Sequence, residues 1–275
     1  AMAEQLTDLS RLCIHTITTK PWPLGECLAN YRKAGVPGVT VWRQWLEPQG
    51  LDESARMLRD SGLRVTSLCR GGFFPALTED GRSKALDDNR RAIAEAHAIG
   101  APLIVLVCGA VPGIPLSEAR KQIAEGIAAV LPDARAAGVK LSIEPLHPMF
   151  SDARSAVNSL TDANDMVEEL DDDHVGVTVD VYHVWWDARL EYEIARAGRK
   201  ILSFHVCDWR TPTRDLLNDR GLMGEGCIDI RGIRGWVEQA GFTGDIEVEI
   251  FSDAWWATDQ NSFVEKIKEA YLAHC

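Results

Sequence analysis

Six times along this chain, a stretch with helical spacing of apolar residues runs directly into a β-branched segment, usually through a glycine turn: KAGVPGVTVW, DSGLRVTSLC, AIGAPLIVLVC, AAGVKLSIEP, DDDHVGVTVD and QAGFTGDIEVEI. Repetition of helix followed at once by strand is the mark of βα units. The apolar runs predict eight strands, at 12–18, 38–43, 64–70, 103–108, 139–144, 175–181, 201–206 and 245–251. Eight helices are expected between and after them, near 24–34, 51–61, 84–99, 116–137, 160–170, 188–198, 230–240 and 261–273. The strands are almost continuously apolar, so both of their faces need cover, and that demands a parallel sheet beneath helices. Eight units in 275 residues predict one α/β domain, 1–275, folded as a single (β/α)8 TIM barrel. A doubly wound sheet is the rival, but no GxGxxG follows the first strand, so a dinucleotide fold lacks its phosphate-binding turn.

Charge narrows the partners. With 29 Lys and Arg against 41 Asp and Glu, the net charge is −12, a field that repels phosphate polymers and argues against nucleic acid. No apolar run approaches the roughly 20 residues that span a bilayer, and AMAEQLTDLSRLC lacks the basic start and apolar core of an export signal. A cytoplasmic protein is expected. The seven cysteines form no CxxC pair and several lie within apolar strands, where they act as small hydrophobes in a reducing compartment.

Four of the expected strands carry one metal-type ligand near their end: Glu144 in LSIEP, Asp180 in GVTVDVYH, His205 in ILSFHVCD and Glu249 in DIEVEIF. A carboxylate inside such a strand costs several kcal/mol to bury alone, so four polar groups placed this way call for a shared charge partner. In a TIM barrel the chemistry sits at the carboxyl ends of the strands, and consecutive strands are neighbours, so the four groups converge. Three carboxylates and an imidazole suit one divalent ion, Mn, Mg, Co or Zn. Glu247 lies two residues from Glu249 and on the same strand face; the later residue, Glu249, is the expected ligand. His15, late in strand 1, points toward the same mouth, whereas His97, His174 and His274 read as surface residues.

The motifs IEPLHP, VDVYHVWW, FHVCDW, GEGCIDI and VEIF, in this order, resemble the xylose isomerase-like TIM-barrel superfamily of sugar and sugar-phosphate isomerases and epimerases, which also includes dehydratases and type IV endonucleases. The resemblance covers essentially the whole chain, with its specific motifs confined to 143–251. It implies that Glu144, Asp180, His205 and Glu249 are the family's metal ligands, and that His183 of D-x-x-H faces the substrate. It implies as well that Asp208 of H-x-x-D, with Arg210 nearby, supports the ligands or contacts substrate, although Arg210 departs from the epimerase spacing.

The chemistry of these groups points the same way. Shifting a proton between adjacent carbons of a hydroxy-ketone needs a metal to polarise the oxygens and carboxylates on either face of the carbon. Glu144 and Glu249 are the expected acid and base, with Asp180 and His205 acting mainly as ligands. His147, just past Glu144, either contacts substrate or shapes the loop. Eight of the nine tryptophans fall at strand ends or in the loops that follow. Trp185 and Trp186 among them are expected to stack on a sugar or polyol ring, the others to pack the barrel lid or an oligomer surface. Arg43 and Arg70 follow strands 2 and 3 as isolated arginines, a placement that is more often structural than anion-binding, and Gly221, Gly224 and Gly226 shape the loop after strand 7. The expected function is therefore a metal-dependent isomerase or epimerase of a small sugar, sugar phosphate or keto-polyol, working by an enediolate route, with a homo-oligomer as one expected assembly. A dehydratase on the same scaffold is the alternative. An endonuclease, which needs more histidines than this chain places at the mouth, and a non-catalytic sugar-binding protein rank lower.

Overall fold

Strands with two apolar faces close on themselves in this chain, and the computed structural model, which describes residues 3–275, contains the resulting barrel. Its parallel strands are β1 (Leu12–His15), β2 (Gly38–Trp42), β3 (Arg64–Gly72), β4 (Leu103–Val107), β5 (Lys140–Glu144), β6 (Val175–Asp180), β7 (Ile201–Val206) and β8 (Ile246–Val248), with β8 paired to β1. The outer helices are α1 (Leu24–Lys33), α2 (Leu51–Ser61), α3 (Glu79–Ile99), α4 (Leu116–Ala137), α5 (Leu160–Leu170), α6 (Leu190–Ala197), α7 (Ile230–Gln239) and α8 (Gln260–His274). A short antiparallel hairpin, Asp208–Trp209 against Arg220–Gly221, folds out after β7. No helix among the described residues is long and apolar enough to cross a membrane, and no disulfide forms among them.

Several boundaries differ from the expected ones, each for a local reason. The first strand stops at His15 instead of 18, and Thr16–Thr19 form a 3-10 turn. There, threonine hydroxyls replace ladder partners: Thr16 Oγ1 accepts from the Trp42 backbone N–H, and Thr18 Oγ1 donates to the Val248 carbonyl and accepts from the Ile250 N–H. The same Thr18 ends β8 at Val248 instead of 251, leaving Glu249 just past the strand, though its N–H still reaches Val206 O at 3.1 Å. Strand β3 runs on to Gly72, where φ is +110° and a Cβ would meet Val107 O at 1.9 Å, so only glycine fits. Helix α3 begins at Glu79, earlier than 84, because Thr78 accepts from the Gly81 N–H and caps it.

Below the mouth, the barrel interior is lined by hydroxyls where bulky branched side chains usually pack. Thr40, Ser67, Ser142, Thr178 and Ser203 are all buried, and they find partners in one another: Ser142 with Thr178 at 2.6 Å and Thr40 with Ser67 at 3.0 Å. This satisfied polar layer lets the groups above it stay buried without stranding donors or acceptors.

Candidate metal centre

Strand register assembles the four expected ligands. Glu144 and Asp180 are the last residues of β5 and β6. His205 lies level with Asp180 across the β6–β7 ladder and with Glu247 across β7–β8. His205 Nδ1 is 3.3 Å from Glu144 Oε2, 3.6 Å from Asp180 Oδ2 and 3.7 Å from Glu249 Oε1. One donor atom from each of the four residues lies within 4.8 Å of the others, and all four residues are buried.

The donor set fits a divalent ion for a reason internal to the structure. Glu144 Oε2, Asp180 Oδ2 and His205 Nδ1 are buried and have no hydrogen-bond partner, a cost that folded proteins avoid unless something else occupies the position. An oxygen-rich set with one imidazole nitrogen matches the metals named above. Arg220 is a buried guanidinium beside the cluster, and it satisfies Glu249 by donating from Nη1 at 3.0 Å to Oε1, while standing 3.6 Å from Asp180 Oδ2. One guanidinium leaves the other orphaned atoms unsatisfied.

Glu247, the competitor for the ligand role, sits one layer lower and supports the site from beneath. Its Oε1 accepts from Thr40 Oγ1 at 2.6 Å and lies 2.9 Å from His15 Nε2 and 3.5 Å from His205 Nε2, while its Oε2 accepts from Ser203 Oγ at 3.0 Å. Ser203 Oγ is also 2.9 Å from His205 Nε2. The ring of His205 is thus held through Nε2 with Nδ1 facing the three ligand carboxylates, an arrangement that orients an imidazole ligand and raises its basicity. His15 reaches both glutamates: its Nε2 is 2.9 Å from Glu247 Oε1 and its Nδ1 is 3.4 Å from Glu249 Oε2, with Trp42 Nε1 3.0 Å from the same Nδ1.

The environments of the two candidate acid–base groups differ. Burial, with the Glu249 and Asp180 charges adding to it, pushes Glu144 up to about 7 against the pull of His205. Burial also works against ionised Glu249, but His15 and His205 outweigh it and hold that carboxyl well below its ordinary value. Burial likewise opposes a charge on His205, yet Glu247 and the ligand carboxylates keep its imidazole well above the usual range. A bound cation would take the place of these protons.

The expected substrate contacts divide into two groups. His183, buried and three residues past Asp180, accepts the His147 backbone N–H on Nδ1 at 3.0 Å, which leaves its ring proton on Nε2, 4.0 Å from Asp180 Oδ2; Arg220 Nη2, 3.4 Å from Nε2, is itself only a donor. Burial and Arg220 push its pKa well below the usual value, making it a neutral donor. His147 stacks on Trp209 with ring centroids 5.1 Å apart and meets Trp186 edge-on at 5.8 Å, while Trp185 lies 5.7 Å and Tyr182 4.9 Å from Trp209. These rings form one aromatic wall beside the ligands. Trp186 Nε1 donates to His183 O at 2.6 Å, tying the wall to the D-x-x-H turn.

Asp208 and Arg210 take other roles. Both carboxylate oxygens of buried Asp208 accept backbone N–H groups, from Trp209 and Ile228 on one side and Gly224 on the other. It pins the hairpin loop and has no lone pair turned to the ligands. Arg210 turns outward to Glu225 at 3.4 Å and Asp219 at 3.7 Å, because those carboxylates offer it partners on the hairpin's outer side. The inward arginine is Arg220, ten residues later, held between the rings of Tyr182 (4.2 Å) and Phe251 (4.8 Å). Nothing in the residue pattern separates it from Arg210 or Arg214, since which of the three turns inward is decided by the pairing of the hairpin. Arg43 is structural, bound to Asp88 and Glu95 at 2.9 Å each.

The geometry can be set beside known proteins. A family model described as xylose isomerase-like TIM barrel matches residues 28–270. Over 235 residues the chain is 23% identical to an inosose isomerase of Bacillus velezensis, covering 82% of this chain and 81% of that protein. Over 202 residues it is 22% identical to an inosose isomerase of Bacillus subtilis, covering 72% and 71%. Among solved structures, a Sinorhizobium meliloti protein superposes with a TM-score of 0.94 at 48% identity, covering 98% of this chain and 99% of that one. The IolI protein with a bound zinc atom superposes with a TM-score of 0.84 at 21% identity over 96% and 97%. A 3-keto-D-glucoside 4-epimerase of E. coli gives 0.77 at 18% identity over 96% and 99%; at those identities the latter two likenesses are of fold.

Proposed function

The chain belongs to the xylose isomerase-like TIM-barrel family, and from that premise we propose that it is a divalent-metal-dependent isomerase or epimerase of a sugar or polyol that moves a proton between a carbon and its neighbour. The observation that carries this reading is the pair Glu144 and Glu249. They reach one buried cluster from the end of β5 and from just past β8, with His205 Nδ1 between them at 3.3 Å and 3.7 Å. Two carboxyls that approach one spot from different strands can serve as the acid and the base of a proton transfer. The relatives named inosose isomerases support the same substrate class.

Glu144, Asp180, His205 and Glu249 would hold the ion. When bound, it supplies Lewis acidity toward a carbonyl or hydroxyl oxygen of the substrate. Glu249, kept ionised by His15 and His205 and directed by Arg220, takes the proton from the carbon on its side. Glu144, reaching the cluster from the end of β5, returns a proton on the other side. His183 offers its Nε2–H, and Arg220 its free guanidinium edge, to oxygens that gain negative charge as the proton leaves. The wall of Trp209, Trp185, Trp186 and His147 orients the apolar face of the ring.

The test is exchange of substrate C–H with deuterated water by the metal-loaded protein, over keto-sugars, inososes and 3-keto-glycosides. Glu144→Gln and Glu249→Gln should each reduce exchange by about 10²–10⁴-fold at saturating metal. Wild-type exchange that survives in both variants would overturn the assignment of acid and base, and exchange accompanied by loss of water would mark a dehydratase.

A further inference from the structure

Most arginines of this acidic chain that approach its interior are matched to a carboxylate, as Arg43 is to Asp88 and Glu95, and Arg234 to Glu238. The barrel mouth is different. Arg70, at the end of β3, and Arg154, in the loop after β5, are partly buried, and among the described residues neither forms an ion pair. Each is held by an aromatic face instead: Arg70 over Phe73 with its guanidinium carbon 4.3 Å from the ring centre, and Arg154 over Phe150 at 5.6 Å. Phe150 and Phe73 pack in one small apolar cluster with Val107 and Leu146, at the carboxyl ends of β4 and β5. Phe150 also meets His183 edge-on at 5.9 Å, so the two forks stand on the rim beside the D-x-x-H turn. Below them Arg220 leaves its buried Nε without an acceptor. A guanidinium stacked on a ring keeps its N–H edge free and its plane fixed, which prepares it for bidentate contact with a planar or tetrahedral anion.

We infer that the substrate of this site carries a carboxylate or phosphate group, received at the rim by Arg154 and Arg70 on the side of the mouth nearest Phe150. The inference rests on the isomerase reading of the site and sharpens it from sugars in general to acidic ones. The cost of leaving the two forks unpaired agrees with it. Burial, then the neighbouring Arg154, push Arg70 down to about 10, and burial, then Arg220, lower Arg154. An anion relieves that repulsion, whereas a neutral sugar leaves it in place.

The experiment is calorimetric binding to the metal-loaded full chain of three probes: glucuronate, fructose 6-phosphate and fructose. At least one anionic probe should bind about tenfold or more tightly than fructose, as expected of a charge-assisted contact. The stronger of glucuronate and fructose 6-phosphate identifies the group. Arg154→Gln and Arg70→Gln, made separately, should each cut the anion's advantage several-fold while leaving fructose affinity and metal content unchanged. Equal binding of all three probes, or an advantage that persists in both variants, overturns the inference. The isomerase reading stands or falls separately on deuterium exchange: anion preference without exchange would retain the acidic ligand and reject the chemistry, and exchange of neutral sugars without anion preference would do the reverse.

Discussion

Glu247 and Glu249 have the same chemistry, lie on the same strand face two positions apart, and do different work. The lower one spends its oxygens on Thr40, Ser203 and His15, and the upper one faces the ligand cluster. Its separate role gives a prediction: Glu247→Gln, which keeps the shape, should weaken divalent-ion affinity by roughly 10–100-fold, the usual effect of losing the partner of a metal-binding histidine. A direct titration of the ion checks it, and unchanged affinity would reduce Glu247 to a satisfied core carboxylate. That Glu249 lies nearer the mouth than Glu247 was legible from its later position in the strand. The support from Glu247, His15 and the hydroxyl layer was not, since period-two alternation places residues on a face but says nothing of depth or of which donors from other strands meet them. For the same reason the sequence, which leaves Asp208 either supporting the ligands or contacting substrate, does not show that its carboxylate accepts three backbone N–H groups.

The hairpin after β7 and the turn after β6 carry the elements of the mouth that a strand count misses. Eight βα units could be read directly from runs of Val, Ile and Leu following glycine turns, because burial on both faces leaves so distinct a composition. Strand ends could not, since Thr16 and Thr18 cut β1 and β8 short by side-chain hydrogen bonds that propensity does not encode. Nor could the inward turn of Arg220, which depends on the pairing of Asp208 with Gly221. Trp209 joins the hairpin to the aromatic wall, touching His147, Tyr182 and Trp185. Being half-buried, it belongs to the mouth more than to the core. Trp209→Ala should therefore raise KM about tenfold, in keeping with a ring-stacking contact of 1–2 kcal/mol, while lowering Tm by only a few degrees. A large fall in Tm with unchanged KM would make it a packing residue.

Across the barrel, an acidic chain concentrates the candidate ligand carboxylates of Glu144, Asp180 and Glu249, with Glu247 beneath them, at one end of a closed sheet. The fold brings these groups together by strand order, and a divalent ion would satisfy the three donor atoms that have no hydrogen-bond partner. Proton and ion compete for the same atoms. Because burial raises Glu144 to about 7, the ion must displace a proton below that pH and need not above it, so affinity should fall as pH is lowered from 8 to 6. The most direct measurement is elemental analysis after equilibrium dialysis against Mn or Zn at pH 8 and pH 6, for the native chain and for Asp180→Asn and His205→Gln. One ion per chain at pH 8, weaker retention at pH 6, and loss of the ion by at least tenfold in both variants is the predicted result. A native chain that takes up no ion at pH 8, or variants that retain it in full, would contradict the metal centre.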